Sequence, residues 1–283
     1  MKHEESSFQS ADGLRLYYQT WQPDGSPVAR LVIVHGLGEH SGRYGNVVDY
    51  FVPRGYGICA LDLRGHGRSE GPRGHVQDFA HYVEDLRRFV GLVQGSQPDV
   101  PTFMVGHSLG GLIALSYGLC HPEGLRGMVV SSPWIEANAA ELPPVQRFLS
   151  ALFAKPLSAL LPTLPMHNGL NPNYLSHDPA VAGAYEADPL VHHTITPRAF
   201  TEIVRAAADV VENAGDFRLP ILLLVASGDK LVLPAATVEF FGRLRVEDRT
   251  LKVYDGFYHE LFNEVEKATV LRDVGAWVEK RVR

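Results

Sequence analysis

A single serine, Ser108, stands between glycines in the pentapeptide Gly-His-Ser-Leu-Gly at residues 106–110. A short apolar run (residues 103–105) precedes it, and a helical pattern rich in Ala, Leu and Ile follows it. A strand, a tight turn and a helix form the context in which G-x-S-x-G presents a nucleophilic hydroxyl at the end of a sheet. The pattern also fits a structural turn, so the serine needs a base, an acid and an oxyanion hole elsewhere in the chain.

Two further residues complete a candidate catalytic triad. A serine hydroxyl becomes a good nucleophile only when a neighbouring base takes its proton. His259 follows a predicted strand at residues 251–254, and Asp229 follows one at residues 220–227. The chain order Ser108, Asp229, His259 is that of the α/β-hydrolase arrangement. We therefore predict Ser108 as the nucleophile, His259 as the general base and Asp229 as the acid that orients it.

Two other aspartates compete for the role of the acid. Asp255 lies only four residues before His259 in the same loop, and Asp216 precedes its strand instead of following it. Both positions are worse than that of Asp229, because the triad residues have to meet at the carboxyl ends of the strands.

The oxyanion of an acyl-transfer intermediate needs two N–H donors that are already in place. The backbone amide after the nucleophile, that of Leu109, is one candidate. The second is the amide of Leu37, in the loop His-Gly-Leu-Gly at residues 35–38, which follows another apolar strand pattern.

Two other chemistries fit parts of the same segments less well. Residues 36–41 resemble a dinucleotide-binding turn with Asp62 downstream, but Ser41 stands where glycine or alanine is wanted. Glu39 would also repel a pyrophosphate. The segment from His259 to Asn263 begins like a zinc-binding motif, but Asn263 replaces the second histidine.

Composition narrows the function classes. The formal net charge of −6 at pH 7 gives no reason to expect a nucleic acid partner. The residues at the N-terminus lack an apolar signal region and no run reaches about 18 apolar residues, so we expect a cytoplasmic protein. The cysteines Cys59 and Cys120 lie in apolar surroundings, and we predict both as small buried side chains and not as a disulfide or metal pair.

Repeated strand and helix patterns predict an α/β fold. The apolar strand patterns are nearly continuous, which is typical of parallel strands covered by helices on both faces. A hairpin at residues 7–23 would form an antiparallel edge. The predicted strands lie at residues 30–35, 57–63, 103–105, 127–132, 220–227 and 251–254. The predicted helices lie at residues 43–54, 79–93, 196–214, 234–244 and 260–282, and a further helix runs from the serine turn to about residue 120.

The alternation stops between Pro133 and Pro197, a segment that contains ten of the 19 prolines. We predict a hydrolase core in two parts (residues 1–132 and 198–283) with a cap inserted at residues 133–197. Within the cap, residues 145–161 are strongly apolar with only two charges. This stretch fits either internal core packing or a lid whose apolar side faces a lipid substrate or, transiently, a membrane surface.

Several motifs, taken together and in order, resemble the monoacylglycerol lipase family of α/β-hydrolases. They cover nearly the whole chain and are weakest in the insertion. The Gly-Glu-His loop and the Leu-Arg-Gly-His-Gly block narrow the resemblance to monoglyceride lipases and their lysophospholipase-like relatives. The motifs lie at residues 35–40, 43–44, 62–71, 106–111, 228–229 and 258–259.

The resemblance implies a cap over the site, a hydrophobic tunnel for an acyl chain and a small polar pocket for glycerol. Animal members carry a cysteine shortly after the triad acid, where this chain has Val232. Inhibition through a thiol at that place is therefore not expected, and a bacterial type of member is indicated.

The functional hypothesis is a serine hydrolase that cleaves monoacylglycerols to glycerol and fatty acid through an acyl-enzyme, with no metal or organic cofactor. A lysophospholipase or a short-chain carboxylesterase would use the same triad with a different pocket. A catalytically silent binding protein on the same fold is the alternative outside enzymes. The sequence leaves the oligomeric state open.

Overall fold

A mixed eight-stranded sheet forms the centre of the molecule. The computed structural model describes residues 1–138 and 155–282. In this part of the chain the strands are β1 (Lys2–Gln9), β2 (Arg15–Gln22), β3 (Ala29–Val34), β4 (Tyr56–Leu61), β5 (Thr102–His107), β6 (Gly127–Ser131), β7 (Met166–His167), β8 (Thr194–Ile195), β9 (Ile221–Ala226) and β10 (Arg249–Tyr254). The large sheet has the order β1-β2-β4-β3-β5-β6-β9-β10, and β7 pairs with β8 separately.

The pairing directions confirm the predicted fold class. Strands β1 and β2 form an antiparallel hairpin, and β2 also pairs antiparallel with β4. All other neighbours in the large sheet pair parallel. The carboxyl ends of β3, β5, β6, β9 and β10 therefore lie at one edge, where ligands of such sheets bind.

Helices cover both faces of the sheet. The described helices are α1 (Gly45–Phe51), α2 (Ala80–Ser96), α3 (Leu109–Cys120), α4 (Pro179–Ala187), α5 (Pro197–Glu212), α6 (Pro234–Arg243) and α7 (Lys267–Glu279), and residues 155–160 are also helical. One buried cluster joins the sheet to α2, α3, α5 and α6, and the other joins it to α1 and α7.

The strand β3 illustrates why these sequences form buried strands. All six of its residues are buried. Successive side chains point to opposite faces of a strand, so Leu31 and Ile33 join the cluster with α1 and α7, whereas Val32 and Val34 join the other. The apolar run from Leu31 to Val34 thus contributes to two cores at once.

Three sequence predictions need correction. The closing helix begins at Lys267 and not at residue 260, because residues 260–264 form a loop in which Glu260 accepts hydrogen bonds from Arg43 and Glu264 accepts one from the Tyr258 amide. Cys59 is buried as predicted, but Cys120 is exposed, since it ends α3 where the helix leaves its cover. The predicted helix at residues 43–54 is a seven-residue α-helix between two 3₁₀ turns.

The segment between β6 and α5 contains the β7–β8 pair and α4. Residues 139–154, and with them most of the apolar stretch predicted as core or lid, lie outside the described residues. At the described end of that stretch, Leu160 is 79% exposed and Leu161 is 49% exposed. Within the described residues, none of the helices has the length and apolar character needed to cross a membrane.

Candidate active site

Ser108 occupies a strained corner between β5 and α3. Its backbone has φ 53° and ψ −120°, an arrangement that non-glycine residues rarely adopt and that is common at functional sites. The corner is held by the hydrogen bonds from the Ser108 amide to the Ser131 carbonyl (3.0 Å) and from the Trp134 amide to the Ser108 carbonyl (3.0 Å). A Cβ at Gly110 would lie 2.1 Å from the Val34 carbonyl oxygen, so only glycine allows this approach.

His259 and Asp229 form a buried pair after β10 and β9. These neighbouring strands bring His259 Nδ1 and Asp229 Oδ2 to 2.7 Å. The second carboxylate oxygen of Asp229 accepts the backbone N–H groups of Leu231 (2.8 Å) and Val232 (3.0 Å). The carboxylate is thus fixed from both sides, and the ring of His259 is oriented with Nε2 left for another partner.

The pKa values of this pair move apart. Burial alone would raise the pKa of Asp229, but the charge and hydrogen bond of His259 and two backbone amides lower it overall. Burial alone would lower the pKa of His259, but Asp229, Glu260 and Glu39 raise it. The arrangement therefore favours an ionised carboxylate beside a histidine that accepts a proton readily.

Ser108 and His259 open into one cavity of about 180 Å³. Its walls divide into an apolar part and a polar part. The apolar part includes Leu37, Trp134, Leu175, Ile195, Phe200, Leu231 and Val232, and the polar part includes Glu39, Arg43, Asn138, Asn168, Lys230 and Glu260.

Both predicted oxyanion donors lie beside the nucleophile. A Cβ at Gly36 would lie 3.1 Å from Ser108 Cβ, so the loop of residues 35–38 passes directly against the serine. Leu37 lines the cavity. Leu109 is the first residue of α3, and the first N–H groups of a helix have no carbonyl partner within it.

The chain is similar to several proteins of known function. The family model described as serine aminopeptidase, S33, matches residues 25–266. A monoacylglycerol lipase of Mycolicibacterium smegmatis is 38% identical over 275 residues, which cover 97% of this chain and 96% of that protein. The monoglyceride lipase of Mus musculus is 35% identical over 276 residues, with 96% and 89% covered. This chain belongs to the monoglyceride lipase-like family of α/β-hydrolases.

Solved structures agree with this family. A monoacylglycerol lipase of Paleococcus ferrophilus has a TM-score of 0.81 at 32% identity, and the match covers 99% of this chain and 100% of that one. A soluble variant of the Saccharomyces cerevisiae monoglyceride lipase, solved with a substrate analogue, has a TM-score of 0.86 at 25% identity, with 98% and 94% covered. The family predicted from the sequence motifs is confirmed.

In this α/β-hydrolase, the rival acids lie in other surroundings. Asp255 accepts a hydrogen bond from the Ser227 hydroxyl (3.0 Å), and Asp216 lies 3.4 Å from Arg218. Asp62, the ribose ligand of the dinucleotide alternative, is buried and accepts the backbone N–H groups of Ser41 and Arg68, both at 2.8 Å. The carboxylate of Asp62 is therefore committed to holding its own loops together.

Three charged residues that line the cavity had no predicted catalytic role. We call Glu39, Arg43 and Glu260 the Arg43 cluster. Arg43 binds Glu260 through two hydrogen bonds (Nη1–Oε1 2.5 Å and Nη2–Oε2 2.9 Å) and lies 3.2 Å from Glu39 Oε2. The signal available in the sequence was weak: a carboxylate beside each predicted catalytic loop and one arginine near the first.

A second histidine lies against the predicted base. The ring centroids of His107 and His259 are 4.7 Å apart, and His107 is buried and lines the cavity. Burial, together with the neighbouring His259, lowers the pKa of His107 to about 4. His107 therefore stays neutral at pH 7, and His259 does not have to share its site with a second cation.

Proposed function

We propose that this chain is a serine hydrolase that cleaves the ester bond of monoacylglycerols to glycerol and fatty acid. The observation that carries the proposal is the joint opening of Ser108 and His259 into a cavity with an apolar and a polar wall. A monoacylglycerol has the same two-part character, because it joins a hydrocarbon chain to a small polar alcohol. The lipases named among the relatives support the same substrate class.

In the acylation step, His259 takes the proton of Ser108 while the serine oxygen attacks the ester carbonyl. Asp229 keeps the imidazole in the required tautomer and stabilises the imidazolium that forms. The backbone N–H groups of Leu37 and Leu109 stabilise the negative oxygen of the tetrahedral intermediate. Glycerol then leaves with the proton that His259 returns, and the fatty acyl group stays on Ser108.

In the deacylation step, His259 takes a proton from a water molecule that attacks the acyl-enzyme. The second tetrahedral intermediate collapses to release the fatty acid, and Ser108 regains its proton from His259. Protons and electron pairs balance over the two steps without a metal or an organic cofactor.

The acyl chain needs more room than the cavity gives. Binding sites for drug-sized ligands typically measure about 300–1,000 Å³, whereas this cavity holds about 180 Å³. A wider groove of about 640 Å³ shares Trp134, Ala137 and Phe200 with the cavity. We infer that the acyl chain continues past these residues into the groove.

The cap assigned to residues 133–197 remains part of the proposal, as does its transient contact with a membrane surface. Four apolar side chains of this segment are exposed by 41% or more: Leu160, Leu161, Leu164 and Met166. Such side chains can insert into the boundary of a bilayer without any net positive charge. The cytoplasmic location expected from the sequence stays a prediction.

The decisive experiment measures hydrolysis of 1-monooleoylglycerol by the wild type and by Ser108→Ala, with p-nitrophenyl butyrate alongside. Ser116→Ala, on the helix that follows the nucleophile but away from the cavity lining, is the matched control. We expect both activities in the wild type and the control, and neither in Ser108→Ala. Full activity in Ser108→Ala would end the proposal.

The same assay separates the alternatives. Faster hydrolysis of lysophosphatidylcholine than of monooleoylglycerol would favour a lysophospholipase, and activity on the butyrate ester alone would favour a short-chain carboxylesterase. A catalytically silent protein would hydrolyse none of the three esters and would not be labelled at Ser108 by a fluorophosphonate reagent.

A further inference from the structure

The Arg43 cluster lies between two loops that carry catalytic groups. The side chains of Glu39, Arg43 and Glu260 are at most 10% exposed. Glu260 follows His259 directly in the chain, and Glu39 belongs to the loop that carries Leu37. The cluster therefore connects segments that are more than 200 residues apart in sequence.

One end of the cluster holds the loop of residues 35–39, which carries the proposed oxyanion donor Leu37 and which we call the oxyanion loop. Glu39 Oε1 accepts the backbone N–H of Gly36 (2.6 Å) and the hydroxyl of Tyr44 (3.0 Å). The amide of Gly36 is thus bound to a carboxylate, and the next residue, Leu37, lines the cavity. A Cβ at Gly36 would lie 3.1 Å from Ser108 Cβ, so the loop runs close to the nucleophile and a small movement of Glu39 would shift the loop relative to it.

The other end holds the loop of the general base. Glu260 Oε2 accepts a hydrogen bond from Asn263 Nδ2 (2.8 Å), and the Glu260 amide donates to the Leu175 carbonyl (2.8 Å). These bonds fix the side chain and the backbone of Glu260, and the bidentate contact with Arg43 orients its carboxylate.

From this geometry we propose that Glu260 is a positioning residue. Through Arg43 and Glu39 it holds the loop of His259 at a fixed distance and orientation from the oxyanion donor at Leu37. This role rests on the proposed serine ester hydrolysis and goes beyond the triad. A planar guanidinium with two hydrogen bonds to one carboxylate fixes angle as well as distance, which a lysine could not do.

The cluster also acts on the charge of the base. The titratable or charged groups around His259 include Asp229, His107, Glu39, Arg43 and Glu260, and Tyr174, Tyr185 and Lys230 line the same cavity. Glu260 and Glu39 raise the pKa of His259, after the larger contribution of Asp229. Loss of the negative charge at residue 260 should therefore lower the pKa of His259.

The test compares Glu260→Gln with Asp85→Asn. Asp85 makes an equally buried, two-point contact with Arg64, but it does not line the cavity. With p-nitrophenyl butyrate, we expect Glu260→Gln to lower kcat by about tenfold to 100-fold with little change in KM, since misplacement by 1 Å can cost that much. The acid limb of the kcat/KM profile should move to lower pH. Asp85→Asn should keep the wild-type kcat and pH profile.

Glu260→Asp keeps the charge while shortening the side chain, and it serves if Glu260→Gln fails to fold. We expect a reduced kcat with an acid limb close to that of the wild type. A wild-type kcat in Glu260→Asp, or an unmoved acid limb in a folded Glu260→Gln, would contradict the positioning role. An inactive wild type, or an active Ser108→Ala, would instead contradict the proposed function, so the two failures are distinguishable.

Discussion

The side chains of Arg43 and Arg64 are at most 10% exposed and each binds two carboxylates, but the two arginines connect different parts of the molecule. Arg43 binds Glu260 by two hydrogen bonds and Glu39 by one. Arg64 binds Asp85 by two hydrogen bonds (2.6 and 2.9 Å), and it also binds Asp12. We call Asp12, Arg64 and Asp85 the Arg64 cluster.

The difference lies in what each cluster connects. The Arg64 cluster joins the turn of the N-terminal hairpin, through Asp12, to helix α2, through Asp85. The Arg43 cluster joins the oxyanion loop to the loop of His259. A buried ion pair is by itself weak evidence for stability or for function. We expect the loss of the Arg64 cluster to lower the free energy of unfolding, and the loss of the Arg43 cluster to lower kcat.

The largest effect in this comparison should come from Asp229→Asn, because the Asp229 carboxylate contacts His259 directly. The amide would favour the wrong tautomer of His259, and we expect kcat to fall by about 10⁴-fold. Ester hydrolysis at saturating substrate measures this loss, and thermal unfolding serves as the control for folding. A kcat within tenfold of the wild type would show that another carboxylate orients His259.

Arg64→Met should give the second largest effect, and it should act on stability. The substitution leaves Asp85, whose side chain is 1% exposed, as a buried carboxylate without its arginine. Breaking a buried pair in this way typically costs about 3–5 kcal/mol of the free energy of unfolding. Urea unfolding measures the loss, and kcat of the protein that stays folded should equal that of the wild type. A reduced kcat with unchanged stability would reverse the comparison.

The part of the site that the sequence predicted depends on local patterns. Ser108 and Asp229 each follow a strand that is buried throughout, whereas the strand before His259 is more polar and partly exposed. The edge at which parallel strands end is known once the strands are known. The candidate triad could therefore be predicted from three short segments and their order. The structure brings His259 and Asp229 into contact, with Ser108 and His259 lining the same cavity.

The Arg43 cluster could not be predicted in the same way. Arg43 and Glu260 are 217 residues apart, and no local sequence pattern shows that two residues so far apart will meet. The predicted start of α7 at residue 260 was wrong for a related reason. Glu260 and Glu264 have good helix propensity, but they bond to Arg43 and to the Tyr258 amide (2.8 Å) outside any helix. Tertiary contacts override propensity at such places.

Glu39 and Asp12 are the second carboxylates of the Arg43 and Arg64 clusters, and they allow a finer comparison. Glu39→Gln keeps an acceptor for the Gly36 amide but turns an amide group toward Arg43, which weakens the oxyanion loop. We expect kcat to fall by about tenfold, which corresponds to the loss of one hydrogen bond to a charged group. Asp12→Asn, the matched change in the Arg64 cluster, should leave kcat unchanged. Steady-state kinetics with the butyrate ester measure both, and equal kcat values for the two variants would contradict the distinction.

The smallest effect should be the pH dependence that Asp12 gives to stability. The hydrogen bonds from Arg64 and then from Ser10 lower the pKa of this carboxyl below its ordinary value. A lowered pKa in the folded state means that the stabilisation is present above the ordinary carboxyl pKa of about 4. It is then lost as the pH falls toward the folded-state pKa.

Because the Asp12 side chain is 44% exposed, solvent screens the pair and the stabilisation should be at most about 1 kcal/mol. We expect Asp12→Asn to have a lower Tm than the wild type at pH 7, and this difference should shrink as the pH falls below about 4. Thermal unfolding at a series of pH values measures it. A Tm difference that stays constant down to acid pH would mean that Asp12 stabilises the hairpin turn without its charge, and the Arg64 cluster would then reduce to the Arg64–Asp85 pair.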